Sequence, residues 1–266
     1  MEFRLQAVRG SCRLKAELQT NLFDAARLVA LREEILAQGL VADRFLASDA
    51  DCPTFGLNLA CAWPFPDPLR AAYEQMAERL AACSSRLYVY PFPFTHVTLV
   101  TLLSFSRHMR PSSELVKQLA GKADEIIATL APLFAEQSAD QIQPFTLQPQ
   151  APVLARSAVI LPLVNPDGEV ARLRQRVPEL LQRHPQLHRE LAERGFNVPG
   201  IIHSTVARFA QTPPDLNKFL SAFDDIVAGI KLPLVPVTEI LLTSETKPYM
   251  RGGEILRRFK LPANSL

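Results

Sequence analysis

The same short strand pattern occurs twice in this chain, each time around a histidine. Residues 94–99 read Phe-Thr-His-Val-Thr-Leu and residues 201–206 read Ile-Ile-His-Ser-Thr-Val, so His96 and His203 lie 107 positions apart. Because side chains at i and i+2 of a strand point to the same face, each copy places an imidazole beside a hydroxyl. The repeat predicts a fold in which two similar strands each present one His-Thr pair.

The elements predicted around the two copies also follow the same order. Strand, helix, histidine-containing strand and helix succeed one another in residues 54–135 and again in residues 155–227. This alternation is typical of an α/β or α+β sandwich, and it fits an approximate internal duplication with one motif in each half. In the second half we expect a helix from near Asp167 towards Arg194, interrupted at Pro178.

Composition limits the classes of protein to which the chain can belong. Apolar residues make up 48% and charged residues 21% of the 266 residues, which suits one large domain or two lobes with a shared core. The net charge of +2 is too small to indicate a bulk nucleic-acid binder. We interpret the arginines at 172, 174 and 176, and those at 257 and 258, as solvated helix and strand faces.

Targeting and cysteine patterns point to a cytoplasmic protein. The opening residues lack the apolar run of a signal peptide, and no stretch approaches the ~18 apolar residues of a membrane span. The cysteines at 12, 52, 61 and 83 form no Cys-x-x-Cys pair, so a disulfide framework or zinc site is not expected.

The two motifs favour catalysis over an ordinary structural role. A histidine satisfied within the core would be the usual explanation for either motif alone. A buried histidine in an aliphatic strand is unfavourable without hydrogen-bond partners, and the two motifs occupy equivalent places in the two halves. We therefore interpret the pair as functional.

The chain resembles the 2H phosphoesterase superfamily, also called LigT-like or 2'-5' RNA ligase-like, which is named for two His-x-Thr/Ser motifs. Beside the motifs, residues 55–59 (Phe-Gly-Leu-Asn-Leu) resemble the opening strand of the family, and residues 203–208 (His-Ser-Thr-Val-Ala-Arg) its second motif. Residues 254–261 (Glu-Ile-Leu-Arg-Arg-Phe-Lys-Leu) resemble the closing strand. The likeness covers about residues 53 to 262.

The resemblance implies a fold and a division of the chain. The fold class is α+β, a bilobal and pseudo-symmetric 2H phosphoesterase fold with two antiparallel-rich sheets, flanking helices and an active cleft between the lobes. Residues 51–266 would form this domain, and residues 1–50 an N-terminal helical extension. The extension could pack on the outside of a lobe, cover the cleft as a lid or make a dimer contact.

The residue types in the motifs suit phosphate-ester chemistry. With an unperturbed pKa of about 6.5, one histidine can be neutral and its partner protonated at neutral pH. The neutral ring would accept a proton from water and the charged ring would give one to the departing ribose oxygen. Thr98 and Thr205 would hold the non-bridging oxygens as charge builds up. No cofactor and no metal is expected, and the sequence leaves open which of His96 and His203 is the acid.

Strand parity and loop position suggest further contacts with the substrate. Val100 would follow Thr98 on the motif face, and Phe209 would follow Thr205, where it could stack on a base or pack into the core. Arg208 has the opposite parity and is not expected at the site. Three other candidates for substrate contact are Tyr90, Tyr249 and Arg251.

We therefore predict a metal-independent phosphodiesterase that hydrolyses cyclic phosphates or 2'-5'-type linkages. Its substrates would be RNA ends or small cyclic nucleotides, with no membrane partner. The same residues could also join or cleave 2'-5' linkages in the reverse sense. The alternative from a different class is a non-catalytic RNA- or nucleotide-binding protein on the same fold. The oligomeric state is left open.

Overall fold

A computed structural model describes residues 23–43, 46, 56–104, 114, 117, 121–135, 138, 141–246, 248–250 and 252–262. The helices in this part of the chain are α1 (Ala25–Gln38), α2 (Arg70–Cys83), α3 (Lys122–Leu130), α4 (Glu169–Gln182), α5 (Pro185–Ala192) and α6 (Leu216–Val227). The strands are β1 (Gly56–Cys61), β2 (Leu87–Val89), β3 (Val97–Ser104), β4 (Phe145–Pro149), β5 (Val153–Ala155), β6 (Ala158–Val164), β7 (His203–Phe209), β8 (Val235–Val237), β9 (Glu239–Glu245) and β10 (Gly253–Lys260).

The strands form two sheets with antiparallel pairing. One sheet has the order β10-β9-β1-β3, and the other has the order β2-β7-β6-β4-β8 with β5 paired to β6. The predicted α+β class with two antiparallel sheets is confirmed. The first motif lies at β3 in one sheet and the second lies in β7 in the other, so each sheet carries one motif.

The two halves of the chain exchange strands. β2 lies between α2 and the first motif, yet it pairs with β7 in the sheet of the second motif. β9 and β10 follow the second half, yet they extend the sheet of the first motif through β1. One continuous cluster of buried apolar side chains includes Leu57 and Leu99 from one sheet and Leu161 and Val206 from the other. The two sheets therefore share one core.

The helix of the second half is interrupted at a different proline from the one expected. Pro178 lies inside α4, and the break falls between Gln182 and Pro185, so the prediction for Pro178 is wrong. Proline disfavours helical geometry in the residue before it, and His184 has φ −119° and ψ 75°. Pro185 then occupies the first turn of α5, where its missing N–H is not needed.

Helix α1 packs on the sheet that carries the second motif. Asp24 caps its first turn by accepting a hydrogen bond from the backbone N–H of Arg27, and Gly39 ends it at φ 73°. Arg156 in the β5–β6 turn pairs with Glu34 at 3.7 Å, and the backbone N–H of Val41 donates to the Arg156 carbonyl at 2.7 Å. Residues 39–43 thereby follow the sheet towards β7.

No helix among the described residues has the length and apolar character needed to cross a membrane.

Candidate active site

The fold brings the two motif histidines close together. His96 immediately precedes β3 and His203 opens β7. Thr101 of β3 and Asn197 exchange two backbone hydrogen bonds, of 2.9 and 2.8 Å, which join β3 to the segment that leads into β7. The charge of His96 lowers the pKa of His203, so the two imidazoles lie within electrostatic range of each other.

The two motifs have the same pattern of exposure along six residues. In residues 96–101 and in residues 203–208, the first, third and sixth side chains are partly exposed and the other three are buried. The partly exposed side chains are His96, Thr98 and Thr101 in one copy and His203, Thr205 and Arg208 in the other. A strict strand would expose the fifth residue rather than the sixth, so both copies depart from simple alternation in the same way.

A register shift explains this departure in β3. Ala60 of β1 pairs with Thr98 and Leu59 pairs with Val100, so Leu99 is left without a partner. An extra residue of this kind is a β-bulge, and it moves the following side chains to the other face of the strand. Val100 is therefore buried, and Thr101 takes the place on the motif face that was expected for Val100.

The same shift follows the threonine of the second motif. Ile160 of β6 pairs with Thr205 and Val159 pairs with Ala207, which leaves Val206 as the extra residue. Arg208 consequently lies on the same face as Thr205, contrary to the predicted parity. Phe209 turns into the core instead. The prediction of Phe209 as a base-stacking residue needs correction, because its side chain is fully buried with its ring centroid 5.6 Å from that of Phe219.

A backbone carbonyl orients the ring of His96. Nδ1 of His96 lies 2.8 Å from the carbonyl oxygen of Phe94, which can only accept a hydrogen bond. Nδ1 therefore carries a proton, and Nε2 is the nitrogen that can exchange one. Burial lowers the pKa of His96, and the hydrogen bond to Phe94 acts in the opposite direction.

The surroundings of His203 also favour its neutral form. Burial lowers its pKa to about 4, the neighbouring Ile201 carbonyl raises it, and the charges of Arg174, His96 and Arg208 lower it further. Nδ1 of His203 is buried and has no hydrogen-bond partner of ordinary geometry among the described residues. Both rings are thus shifted away from the unperturbed pKa assumed from the sequence, and in the protein alone both are neutral at pH 7.

Arg208 belongs to a network that reaches the segment after α1. Its Nη1 donates to Oδ2 of Asp43 at 3.1 Å, and its guanidinium carbon lies 4.3 Å from the centre of the Tyr249 ring. The hydroxyl of Tyr249 donates a short hydrogen bond to the same oxygen of Asp43. The backbone at Tyr249 has φ 66° and ψ 39°, a left-handed conformation that is uncommon for a residue other than glycine. Asp43 and Tyr249 therefore fix the side chain of Arg208 beside the second motif.

Tyr90 supports this network from the core rather than from a loop surface. Its side chain is 1% exposed, and its ring packs edge-on against Tyr249 with centroids 5.9 Å apart. The hydroxyl of Tyr90 and Nε of Arg208 are buried without a hydrogen-bond partner of ordinary geometry among the described residues. Burial raises the pKa of Tyr90 and the nearby charge of Arg208 lowers it, so the two groups lie close together. Arg251, the remaining predicted contact, lies outside the described residues.

Sequence reasoning missed Arg208 and Asp43 for different reasons. The signal for Arg208 is present in the sequence, because each threonine is followed by two apolar residues before the next polar one, at Leu99-Val100 and at Val206-Ala207. Asp43 carries no comparable signal, since its contact with Arg208 spans 165 positions.

In the part of the chain that the structure describes, no three His, Cys, Asp or Glu side chains come together as metal ligands.

The sequence matches no protein-family model and no curated protein. The structure is similar to TT0787 of Thermus thermophilus, with 20% identity, 79% of this chain and 99% of that chain covered, and a TM-score of 0.50. It is also similar to ATU0111 from Agrobacterium tumefaciens, described as a conserved protein of unknown function. There the identity is 16%, the coverage 87% of this chain and 99% of that chain, and the TM-score 0.60.

A third similar structure is LigT of E. coli complexed with phosphate. Its identity is 18%, it covers 79% of this chain and 99% of its own, and its TM-score is 0.40. At identities this low, the likeness to TT0787 and ATU0111 concerns the fold alone. That fold is an α+β fold with two antiparallel sheets, the class that the sequence predicts.

Proposed function

We propose that this chain is a 2H phosphoesterase and acts as a metal-independent phosphodiesterase. It would hydrolyse cyclic phosphates or 2'-5'-type linkages in RNA ends or small nucleotides. The observation that carries the proposal is the repetition of one arrangement, a partly exposed His-Thr pair followed by a bulge, on two strands whose imidazoles interact. A protein that only binds a nucleotide does not require two proton-transfer groups.

The reaction needs two proton transfers, one on each side of the phosphorus. On a 2',3'-cyclic phosphate, water attacks phosphorus while a neutral imidazole takes its proton. The bond from phosphorus to one ribose oxygen breaks, and a protonated imidazole gives that oxygen a proton. The product is a phosphomonoester, and proton exchange with solvent returns the two histidines to their starting forms.

We assign the base to His203 and the acid to His96. Burial lowers the pKa of His203, and the charges of Arg174 and Arg208 lower it further, so this ring stays neutral and can accept a proton. The Phe94 carbonyl accepts a hydrogen bond from Nδ1 of His96, and such a bond favours the protonated ring. An anionic phosphate in the cleft would raise the pKa of His96 further and so charge the acid when substrate binds.

The remaining groups on the motif faces would hold the phosphate. Thr98 and Thr205 are partly exposed and lie beside their histidines, so their hydroxyls can donate to non-bridging oxygens. Arg208 follows the β-bulge at Val206, and the bulge places its guanidinium on the same face as Thr205. These donors would stabilise the charge that develops on the phosphorane-like transition state.

Turnover of a small substrate panel in EDTA tests the proposal. The panel comprises 2',3'-cyclic nucleotides, 2'-5'-linked dinucleotides and an ADP-ribose cyclic phosphate, each with wild type, His96→Asn and His203→Asn. We expect hydrolysis of at least one class by wild type, and a loss of roughly 100-fold to 10,000-fold in each variant. His184→Asn serves as the matched control, because that histidine is exposed and lies before α5.

Three results would contradict the proposal. Full activity in a folded His96→Asn or His203→Asn protein would remove the paired-histidine mechanism. Activity that disappears in EDTA and returns with a divalent metal would replace it with a metal mechanism. Binding without turnover for every substrate would favour a nucleotide-binding protein on the same fold. Thermal melts followed by circular dichroism would establish that each variant is folded.

A further inference from the structure

Arg174 is a buried arginine between the two motifs. It lies on the face of α4 that also carries Val170, Val177 and Leu181, all of them fully buried, and its own side chain is 7% exposed. The sequence interpretation of the arginines at 172, 174 and 176 as a solvated face is therefore wrong for Arg174. A helix repeats about every 3.6 residues, so position 174 falls on the apolar stripe.

The guanidinium of Arg174 contacts the backbone of both motifs. Its Nε donates to the carbonyl of Leu99 at 2.9 Å, and its Nη2 donates to the carbonyl of Ile201 at 2.9 Å. Leu99 is the bulge residue directly after Thr98, and Ile201 lies two residues before His203. One rigid, planar group thus joins the strand of the first motif to the start of the second.

Arg174 also brings a positive charge without a carboxylate partner. Among the described residues no acidic side chain forms an ion pair with it, and the titratable group that acts on it is the buried thiol of Cys61. Burial lowers the pKa of Arg174 to about 10, so it remains protonated at neutral pH. A buried cation without a counter-ion is unfavourable for folding, which is the kind of feature that a binding or catalytic site retains.

We propose that Arg174 is a positioning residue that fixes the distance between the two His-x-Thr strands and presents a permanent positive charge to His203. The inference rests on the proposed function, since its purpose is to align an acid with a base. The inference goes beyond that function because it assigns the alignment of the two histidines to Arg174, a residue outside both motifs. Arg174 acts through the Leu99 and Ile201 backbone and through its charge, with no contact to the substrate required.

Two substitutions separate the charge from the hydrogen bonds. Arg174→Met keeps much of the buried volume but removes the charge and the hydrogen bonds. Arg174→Lys keeps the charge but cannot reproduce the planar pair of donors. Arg183→Met is the matched control, because Arg183 ends the same helix and is exposed. Imidazole NMR titration reads the pKa values of His96 and His203 directly, with signals assigned through the His96→Asn and His203→Asn proteins.

We expect different results from the two substitutions. In Arg174→Met the pKa of His203 should rise by about half a unit or more, with a much smaller change at His96, because Arg174 acts on His203. In Arg174→Lys the pKa of His203 should stay near its wild-type value. Both variants should lower kcat about 10-fold to 100-fold with little change in KM, since misplacing one motif relative to the other impairs the chemical step.

The titration and the kinetics can fail independently. An unchanged His203 pKa in folded Arg174→Met would overturn the electrostatic part of the inference. Wild-type kcat in Arg174→Lys would overturn the positioning part, and this variant decides the question if Arg174→Met does not fold. Absence of turnover in wild type, together with the expected shift of the His203 pKa, would count against the proposed function and leave the effect of Arg174 on His203 standing.

Discussion

Arg208 donates a hydrogen bond from Nη1 to Oδ2 of Asp43 at 3.1 Å, although the two residues lie 165 positions apart in the sequence. The backbone N–H of Asp43 also donates to the carbonyl of Phe209, at 2.7 Å, so the segment after α1 is attached to the end of β7. Residues 25–43 therefore pack against the sheet of the second motif, and Asp43 adds a side chain beside that motif.

Asp43→Asn should weaken both the fold and the site. The substitution removes the charge that orients Arg208, so we expect the free energy of unfolding to fall by about 1–3 kcal/mol and kcat/KM to fall about 10-fold. Urea denaturation and steady-state kinetics measure the two effects. Asp224→Asn is the control, because its ion pair with Arg32 is exposed and worth about 1 kcal/mol or less. Equal effects of the two substitutions would contradict a special role for Asp43.

Substitutions of Arg208 and Phe209, which are neighbours in β7, should show which of the two side chains faces the site and which faces the core. Phe209→Leu leaves a gap beside Phe219 and should cost about 1–2 kcal/mol of stability with KM unchanged. Arg208→Met should raise KM about 10-fold or more, because a phosphate donor is lost. Kinetics and urea denaturation of both proteins measure this difference. A raised KM in Phe209→Leu together with a normal KM in Arg208→Met would contradict this assignment, because it would place Phe209 rather than Arg208 on the motif face.

The pH dependence of kcat/KM should have its maximum on the acidic side of 6.5. Activity requires one protonated and one neutral histidine, and this form predominates between the two pKa values of the free protein. The pKa of His203 is about 4 and that of His96 is also lowered, so activity should decline as pH rises above the pKa of His96. A maximum near pH 8 would be incompatible with these assignments. The profile of kcat should lie at higher pH, because bound phosphate raises the pKa of the acid.

His203 should also make the fold sensitive to acid. Its folded-state pKa of about 4 lies below the unfolded value near 6.5, so the unfolded chain binds more protons between these limits. The free energy of unfolding should therefore fall as pH decreases from 6.5 through 4, by about 1–3 kcal/mol from this residue. Urea denaturation at pH 7 and pH 4.5 should show a smaller loss for His203→Gln than for wild type. An equal loss in the two proteins would show that His203 is not the group responsible.

Strand periodicity predicted that the histidine and the threonine of each motif share a face, because that part of each motif follows simple alternation. His96 and Thr98, like His203 and Thr205, are partly exposed residues separated by one buried residue. The order of strands and helices likewise follows from local patterns of apolar residues and prolines. These features depend on neighbours within a few positions, which is the range over which sequence patterns are informative.

The bulges and the buried charges could not be read from the same rules. A register shift depends on which residue of the facing strand forms each hydrogen bond, and a run of apolar residues permits either register. Arg174 belongs to an arginine-rich helix, so its burial follows from how α4 lies against β3 and the segment before β7. The contact between Asp43 and Arg208 requires the completed fold.

The strand exchange between the halves determines how the cleft can move. Enzymes with two lobes commonly close around a substrate by rotation about a hinge. Here β2, from the first half, pairs with β7, and the backbone N–H of Tyr90 donates to the carbonyl of Val206. β9, which follows the second half, pairs with β1. These ladders lie within single sheets, but they require the chain to cross from one sheet to the other before β3 and again before β9. Rotation of one sheet against the other would strain these crossings and break the two backbone hydrogen bonds between Thr101 and Asn197. We therefore expect substrate to enter a preformed slot whose width is set by these connections, and to be selected by fit rather than by closure.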